Sequence, residues 1–464
     1  IDELGPAVTT TDNNSYSHNY GVESYLARIN YGFKSRYYID ASWRTDGSSR
    51  FHPSDRWGHF WSVGASWRIS EEQFMENTRQ WLDNLTLKVS YGVQGNDNLG
   101  TYYAWQGLYD YTWPNATDAG AFVDKLENRK VTWEKNGNLN AGIEATMFGG
   151  RLGVSVEYYN RKTRDMLLNS PLPISTGFTG FNDNVGSLRN QGLEVSLRGT
   201  ILDKRDFRWD ATLMGSFNRN KVLSLTGGQD VITSGIRVIE VGRPIYTFYL
   251  PKTAGVDPAT GKQLYYAYWT QTVNDEGALV NTRCDEYITD NVAMATLSKY
   301  YHESREPKLF GSIGSTFTIL KNIDVSFLTT YSIGGWVYDG LYNGSMYVQY
   351  AGNNWHKNAK RRWQKPGDKT DVPMLEVGGS YATASNSLID ASYFAIKNIT
   401  VGYTLPKRWL KKIDIESLRI YATLDNIAMF NHMDGMDPQY NFTGSVAYSY
   451  TPSRVIAFGI DLNF

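Results

Sequence analysis

A single cysteine, Cys284, stands in 464 residues. One thiol cannot form a disulfide within the chain, and it excludes any metal site built on several cysteines. Charge is also scarce: Asp, Glu, Lys and Arg make up 20% of the chain, and the formal net charge is -1. Such a balance provides no field for a polyanion, so nucleic acid is excluded as a partner. No apolar run exceeds about six residues, far short of the roughly 20 that a membrane helix needs. The opening Ile1-Asp2-Glu3-Leu4 has neither a basic n-region nor an apolar h-region. The chain is therefore expected to begin at a mature or cut end inside a larger protein. Against these absences stand 33 Tyr, 19 Phe, 14 Trp and 43 Gly. So many aromatics drive collapse and exclude disorder. The chain is either soluble and β-rich, or it crosses a membrane as a barrel.

Alternation decides between helix and strand. Ile456, Phe458, Ile460, Leu462 and Phe464 point one way, with Ala457, Gly459, Asp461 and Asn463 between them. Period-two alternation makes a strand with one apolar and one small or polar face. Leu85, Leu87, Val89, Tyr91 and Val93 repeat the pattern, as do Leu152, Val154, Val156 and Tyr158, and Leu193, Val195 and Leu197. Strands are expected near 20–33, 37–46, 58–68, 85–94, 137–147, 151–161, 190–201, 206–218, 309–320, 323–334, 392–404, 417–427 and 454–464. Many reach ten residues or so, the length of a tilted membrane-spanning strand rather than the usual five or six of a sandwich. Aromatics such as Tyr37, Tyr38, Trp57, Trp67, Tyr158 and Tyr159 cluster at strand ends, as interfacial girdles require.

The connections have two kinds. Lys34-Ser35-Arg36, Gly149-Gly150 and Lys321-Asn322 are short, whereas 95–136, 162–189, 219–308, 335–391 and 428–453 are long. Short turns on one side and long loops on the other mark an outer-membrane barrel. Ser70-Glu71-Glu72-Gln73 reads as a capping box opening a short helix towards Trp81. About thirteen strands is an odd number, and closed bacterial barrels have an even one. Further strands are therefore expected on the N-terminal side of this chain.

Several motifs fall in a recognisable order. Arg44-Thr45-Asp46-Gly47-Ser48-Ser49-Arg50-Phe51 precedes Arg56-Trp57-Gly58 and Trp67-Arg68-Ile69-Ser70. Leu87-Lys88-Val89-Ser90-Tyr91-Gly92 with Gly95-Asn96 comes next. Gly255-Val256-Asp257-Pro258 with Gly261 and Arg362-Trp363 with Pro366-Gly367-Asp368 follow, then Lys397-Asn398-Ile399-Thr400-Val401-Gly402-Tyr403 with Pro406. Asp425-Asn426-Ile427, Asp437-Pro438 and Pro452-Ser453-Arg454 close the series. Each is weak alone, but the order over nearly the whole chain resembles the SusC/RagA class of TonB-linked outer-membrane transporters. Ala395-Ile396 stands where that class usually has Arg-Leu, and Phe60-Trp61-Ser62 where it has Phe-Pro-Ser. The resemblance implies an all-β fold, a transmembrane antiparallel β-barrel. Residues 1–464 would be the C-terminal part, about 13 strands of a plugged barrel of about 22. The plug, the TonB-interacting segment and the first strands would lie outside this chain.

Catalytic signatures are missing. The six histidines never form the H-E-x-x-H pair, and no G-x-S-x-G elbow occurs. Gly255 to Lys262 has the wrong spacing for a phosphate loop, with Gln263 in place of the Ser or Thr that would bind Mg²⁺, and reads as a tight turn. Asp434 and Asp437 lack EF-hand spacing and read as turn chemistry, so no metal and no cofactor is expected. The long loops carry the substrate candidates: Tyr102, Tyr103, Trp105, Tyr109 and Trp113 in one, Tyr265, Tyr268 and Trp269 in another. Such rings either contact sugar or peptide, or pack the loops together and against a partner.

The resemblance implies import of large nutrients across the outer membrane, oligosaccharides first and peptides as the alternative within the class. It also implies a SusD-like surface lipoprotein as partner, energy from the TonB complex through the part outside this chain, and a strand ending at Phe464 that the assembly machinery reads. A secreted carbohydrate-binding β-protein is the alternative from another class.

Overall fold

The structure, a computed structural model, describes residues 17–111, 113, 120–225, 230–346, 354–376, 379–410, 415–433, 435–439, 443–446 and 450–464. Thirteen long strands form one antiparallel sheet in chain order. They are β1 (Val22–Phe33), β2 (Tyr37–Ser48), β3 (Trp57–Arg68), β4 (Leu82–Asn96), β5 (Glu134–Met147) and β6 (Leu152–Arg164). Then come β7 (Ser187–Lys204), β8 (Phe207–Ser224), β9 (Leu309–Ile319), β10 (Ile323–Ile333), β11 (Tyr393–Thr404), β12 (Ser417–Asn431) and β13 (Val455–Asn463). Each expected strand coincides with one of them. The chain divides into two compact units, Ile1–Leu193 with Asn220–Ile232 and Glu240–Gly242, and Glu194–Arg219 with Thr233–Ile239 and Arg243–Phe464.

Strand register gives the sheet two chemically distinct faces. In the first unit, Asn30, Asp40, Gly64, Ser90 and Asn140 lie side by side across β1 to β5, a polar row. The neighbouring row, one residue along, is Tyr31, Ile39, Ala65, Val89 and Ala141. In the second unit Asp210, Thr316, Ser326, Thr400 and Thr423 make a polar row beside Trp209, Phe317, Val325, Val401 and Ala422. The apolar rows are bare: Ile39 is 51% exposed and Val401 46%. In water that much continuous apolar surface would associate; in lipid it is the favoured side. Ion pairs cross the polar face, with Arg28 Nη2 2.7 Å from Asp40, Lys88 Nζ 2.5 Å from Glu144, and Arg419 Nη2 2.6 Å from Asp324.

The short connections are tight because their residues adopt the left-handed conformation. Lys34 and Ser35 have φ of 50° and 53°, and Arg36 N donates to Phe33 O at 3.0 Å. Leu320 and Lys321, at 51° and 64°, repeat that geometry, so this turn is centred one residue before Lys321-Asn322. Two residues with positive φ make the turn whose twist matches paired strands. Residues Lys407–Leu410 form a single helical turn after β11.

The capping box at Ser70 does not form. The segment makes two 3₁₀ turns, Ile69–Glu71 and Gln73–Thr78, neither with a side-chain cap. Ser70 Oγ is buried without a hydrogen-bond partner, and Glu72, between the two residues of the box, is held from outside it: Tyr37 Oη donates to it at 2.6 Å, Trp67 Nε1 at 3.1 Å and Arg36 Nη1 at 3.1 Å. The Tyr37 and Trp67 hydrogen bonds hold its carboxyl below the usual range. Charge-assisted bonds to that carboxylate hold Glu72 extended between the two turns, so no helix runs on from Ser70.

The long connections carry small sheets of their own, which the alternation does not single out. In the first unit Leu108–Asp110 pairs with Phe122–Lys125, and Leu167–Pro171 with Gly180–Asn184. In the second, Thr253–Val256, Gln263–Val273 and Leu279–Thr289 make a three-stranded sheet, followed by α1 (Val292–Leu297), whose first N–H groups are capped by the Asn291 side chain. No helix among the described residues is long and apolar enough to cross a membrane.

Candidate functional site

The base of the first loop cluster is a clasp. Arg50 Nη1 donates to Asp97 O at 3.1 Å and to Asn98 Oδ1 at 3.2 Å, and lies 3.4 Å from Asp97 Oδ1. Ser48 Oγ and Tyr20 Oη donate to the other Asp97 oxygen at 2.6 and 3.0 Å. The guanidinium also lies over the Tyr20 and Tyr102 rings, 4.7 and 5.0 Å from their centroids. Both members of the ion pair are mostly withdrawn from solvent, where such contacts gain strength. Beneath it Phe51, Phe60, Val131 and Trp133 form a buried cluster. The Trp133 ring lies 5.4 Å from Phe51 and 5.3 Å from Phe60, and its Nε1 donates to Arg56 O at 2.7 Å. Gly95 is required for this packing: a Cβ there would lie 2.1 Å from the Phe60 ring. The Arg44–Phe51, Arg56–Gly58 and Gly95-Asn96 motifs are thus parts of one clasp that anchors the loops to the strands.

The aromatics of this loop divide by exposure. Tyr102 packs 5.7 Å from Tyr20, and Tyr103 Oη accepts from Asn19 N at 2.8 Å. Trp105 rests on the buried cluster, with His52 edge-on at 5.0 Å. Tyr109 and Trp113 stand out at 58% and 67% exposure, Trp113 touching Phe122 edge to face.

The second group is packed inward. Tyr265 is 1% exposed, clustered with Ala295, Ala382 and Ala384, and its Oη accepts from Ala382 N at 3.1 Å. Tyr268 Oη donates to Lys299 O at 2.6 Å, and its ring meets Tyr300 edge-on at 5.3 Å. Trp269 N donates to Ser298 Oγ at 3.2 Å, and Trp269 O accepts from Tyr287 Oη at 2.8 Å. These three residues hold the three-stranded loop sheet and α1 together.

Desolvation pushes the phenols of both Tyr265 and Tyr268 up to about 12, from an ordinary value of 10.0. The unfolded chain therefore ionises first. Their contribution to loop stability is complete below pH 10 and is lost as pH rises towards 12. In a spectrophotometric titration of phenolate absorbance, Tyr265→Phe should remove a group that ionises near pH 12. Removal of one titrating near 10 would contradict the buried placement.

Two family motifs meet in a way that sequence spacing does not reveal. Trp363 Nε1 donates to Pro258 O at 2.9 Å, Gly367 N to Pro258 O at 2.8 Å, and Met374 N to Gly261 O at 2.8 Å. Gly261, at φ +74°, lies under the Trp363 ring, and a Cβ there would lie 2.4 Å from it. Asp257 closes the turn by accepting from Ala259 N at 2.9 Å and Thr260 Oγ1 at 2.6 Å. The one available signal was Gly261 itself, a glycine closing a turn. Asp437 accepts from Gln439 N at 2.9 Å, as a turn residue does; Asp434 and Ile1 to Leu4 lie outside the described residues. Among the described residues no group of three or more His, Cys, Asp or Glu could hold a metal. Phe464 follows β13 at 88% exposure.

A two-faced antiparallel sheet, with tight turns on one side and folded loops on the other, is the wall of an outer-membrane β-barrel. The chain belongs to the TonB dependent receptor-like β-barrel family, whose pattern matches residues 1–427. TonB-dependent receptor SusC of Bacteroides thetaiotaomicron is 28% identical over 465 residues, covering 97% of this chain and 44% of that protein. TonB-dependent receptor P26 of Formosa agariphila is 29% identical, covering 96% of this chain and 46% of that protein. The solved structure of the RagAB peptide transporter matches with a TM-score of 0.83 at 29% identity, over 98% of this chain and 49% of that one. The chain thus spans about half the length of the relatives it matches, and it is part of an outer-membrane barrel.

Proposed function

We propose that the protein to which this chain belongs imports large nutrients across the outer membrane, oligosaccharides in the first place, together with a SusD-like surface lipoprotein. The observation that carries this reading is the folded loop architecture above a two-faced wall, in a chain similar over its whole length to SusC and to the RagAB peptide transporter. Peptide import is the second reading, favoured by the RagAB likeness alone. TonB supplies the energy through the part of the protein outside this chain. The described residues contribute a lipid-facing band, a polar inner face crossed by ion pairs, and anchored loops. Deleting the gene in its host and comparing growth on oligosaccharides and on peptides as sole nutrients tests the reading. Growth lost on glycans alone supports it. Growth lost on peptides alone selects the second reading, and unaltered growth on both overturns the two together. Co-purification of a lipoprotein with the tagged transporter tests the partner, and a transporter that purifies alone under mild detergent refutes it.

We also propose that Phe464 and β13 are recognised during assembly, because an edge strand with a regular apolar face is open to capture by strand addition. Deleting Phe464 from the full-length protein should lower surface levels sharply and let precursor accumulate in a pulse-chase, while surviving molecules melt normally. Assembly at the normal rate would end this idea.

A further inference from the structure

One cleft in the first unit is lined by amides and charged residues that the protein leaves without partners. It opens between the Leu108–Asp110/Phe122–Lys125 hairpin and the Leu167–Pro171/Gly180–Asn184 hairpin. Tyr103, Gln106, Asp124, Lys125, Asn169 and Asn182 line it, and its volume is about 290 Å³. That lies at the lower end of the roughly 300–1,000 Å³ of small-molecule sites. Among the described residues, none of the side chains of Gln106, Asp124, Lys125, Asn169 or Asn182 has a hydrogen-bond or ion-pair partner in the protein; Asp124, Lys125 and Asn169 are exposed, and Gln106 and Asn182 are half-buried.

The contrast with neighbouring amides is direct. Asn128 Nδ2 donates to Asn182 O at 2.9 Å and to Asp183 Oδ1 at 3.2 Å. Asn184 exchanges bonds with Thr132, its Nδ2 donating to Thr132 O and its Oδ1 accepting from Thr132 N, both at 2.9 Å. Those amides stitch the strap before β5 to the second hairpin and fix the cleft wall. The amides inside the cleft are left over. Asn169 and Asn182 face each other in register across their hairpin. Gly180 makes room for the first of them, since a Cβ at Gly180 would lie 2.1 Å from Asn169 Oδ1.

We propose that this cleft binds one neutral sugar residue of an oligosaccharide, an inference that rests on the import reading above. Each hydroxyl of a sugar ring both donates and accepts, and each Asn or Gln amide offers one donor group and one acceptor side by side. Asp124 adds acceptors, and the formal charge of the adjacent Lys125 cancels its own, so the set suits an uncharged ligand. The Tyr103 ring offers a surface for the CH face of the sugar. Exposed Tyr109, on a strand of the same hairpin, and Trp113, in its loop, stand ready for flanking rings.

The test uses the full-length transporter, purified in detergent with any lipoprotein that accompanies it. A printed array of neutral oligosaccharides, with a random-sequence peptide library in parallel, identifies the tightest probe, which is then titrated. Asn169→Ala with Asn182→Ala, and separately Gln106→Ala, should each weaken glycan binding about tenfold, the effect of one or two lost neutral hydrogen bonds. Asp124→Asn, which keeps an acceptor, should weaken it less. Protease resistance of the loops verifies that each variant is folded. Unchanged glycan affinity in the folded variants overturns the cleft while leaving the import reading standing. Peptide binding weakened by the same variants overturns the ligand class. Absence of glycan binding by the wild type overturns the proposal outright, whereas failure of the import reading shows separately, as unaltered growth of the deletion strain.

Discussion

Val89→Lys should sharply reduce the yield of folded barrel, whereas Ser90→Lys, one residue along, should leave it near normal. Val89 sits in the apolar row of β4 between Ala65 and Ala141, and its side is 46% exposed. A lysine there faces lipid, at a cost of about 2–4 kcal/mol near the bilayer midplane. Ser90 lies in the polar row beside Gly64 and Asn140, in a region already holding Lys88 and Glu144. The second unit offers an independent pair, Val401→Lys against Thr400→Lys. Refolding yield into lipid, read as heat-modifiable mobility, measures both pairs. If the members of each pair fold equally well, the assignment of faces is wrong.

Trp133→Ala should open the first loop cluster without dissolving the wall. The ring is 6% exposed and touches Phe51 and Phe60. Emptying such a site costs about 3–5 kcal/mol. The change also leaves Arg56 O, which accepts from Trp133 Nε1 at 2.7 Å, without its partner, adding about 1–3 kcal/mol if that oxygen stays dry. Trp133→Phe keeps most of the ring and should lose only the smaller part. Limited proteolysis should cut the 99–133 segment of the alanine variant first, while its heat-modifiability stays normal. Equal protease resistance of the alanine variant and wild type would show that the cluster does not anchor the loops. The physical point is the separation of the two layers: strand pairing holds the wall, and a compact aromatic core holds the loops.

The wall was legible from sequence because its signal is local. Period-two alternation needs only neighbouring residues, and it marked all thirteen strands. Where an end differs by three residues or more, the ladder continues past the point at which alternation stops. β12 runs to Asn431 rather than to 427, and β4 starts at Leu82 rather than at 85. Backbone hydrogen bonds do not require an apolar side chain, so pairing extends beyond the lipid-facing band. The turn chemistry was less legible. Ser70 and Gln73 had the spacing of a cap, but Tyr37, Trp67 and Arg36 claim the Glu72 carboxylate between them, and no local rule weighs a partner 35 residues away.

By itself, then, the sequence determined the class of fold, the strands and their two faces, the side that carries the loops, and the family, since all of these follow from residue type and short spacing. Only the tertiary structure decided what the loop aromatics do. Tyr265 and Trp113 are equally aromatic and equally placed in long loops, yet one is buried at 1% and the other exposed at 67%. The difference comes from contacts between distant segments: Tyr265 meets Ala382 across 117 residues, and Trp363 meets Pro258 across 105. Pairings over such distances leave no periodic trace, because a loop's partner is chosen by shape and unmet hydrogen bonds rather than by the alternation that places a strand. The same reason hid the cleft, whose side chains come from four separate strands and turns and acquire a common purpose only when the two hairpins stand side by side.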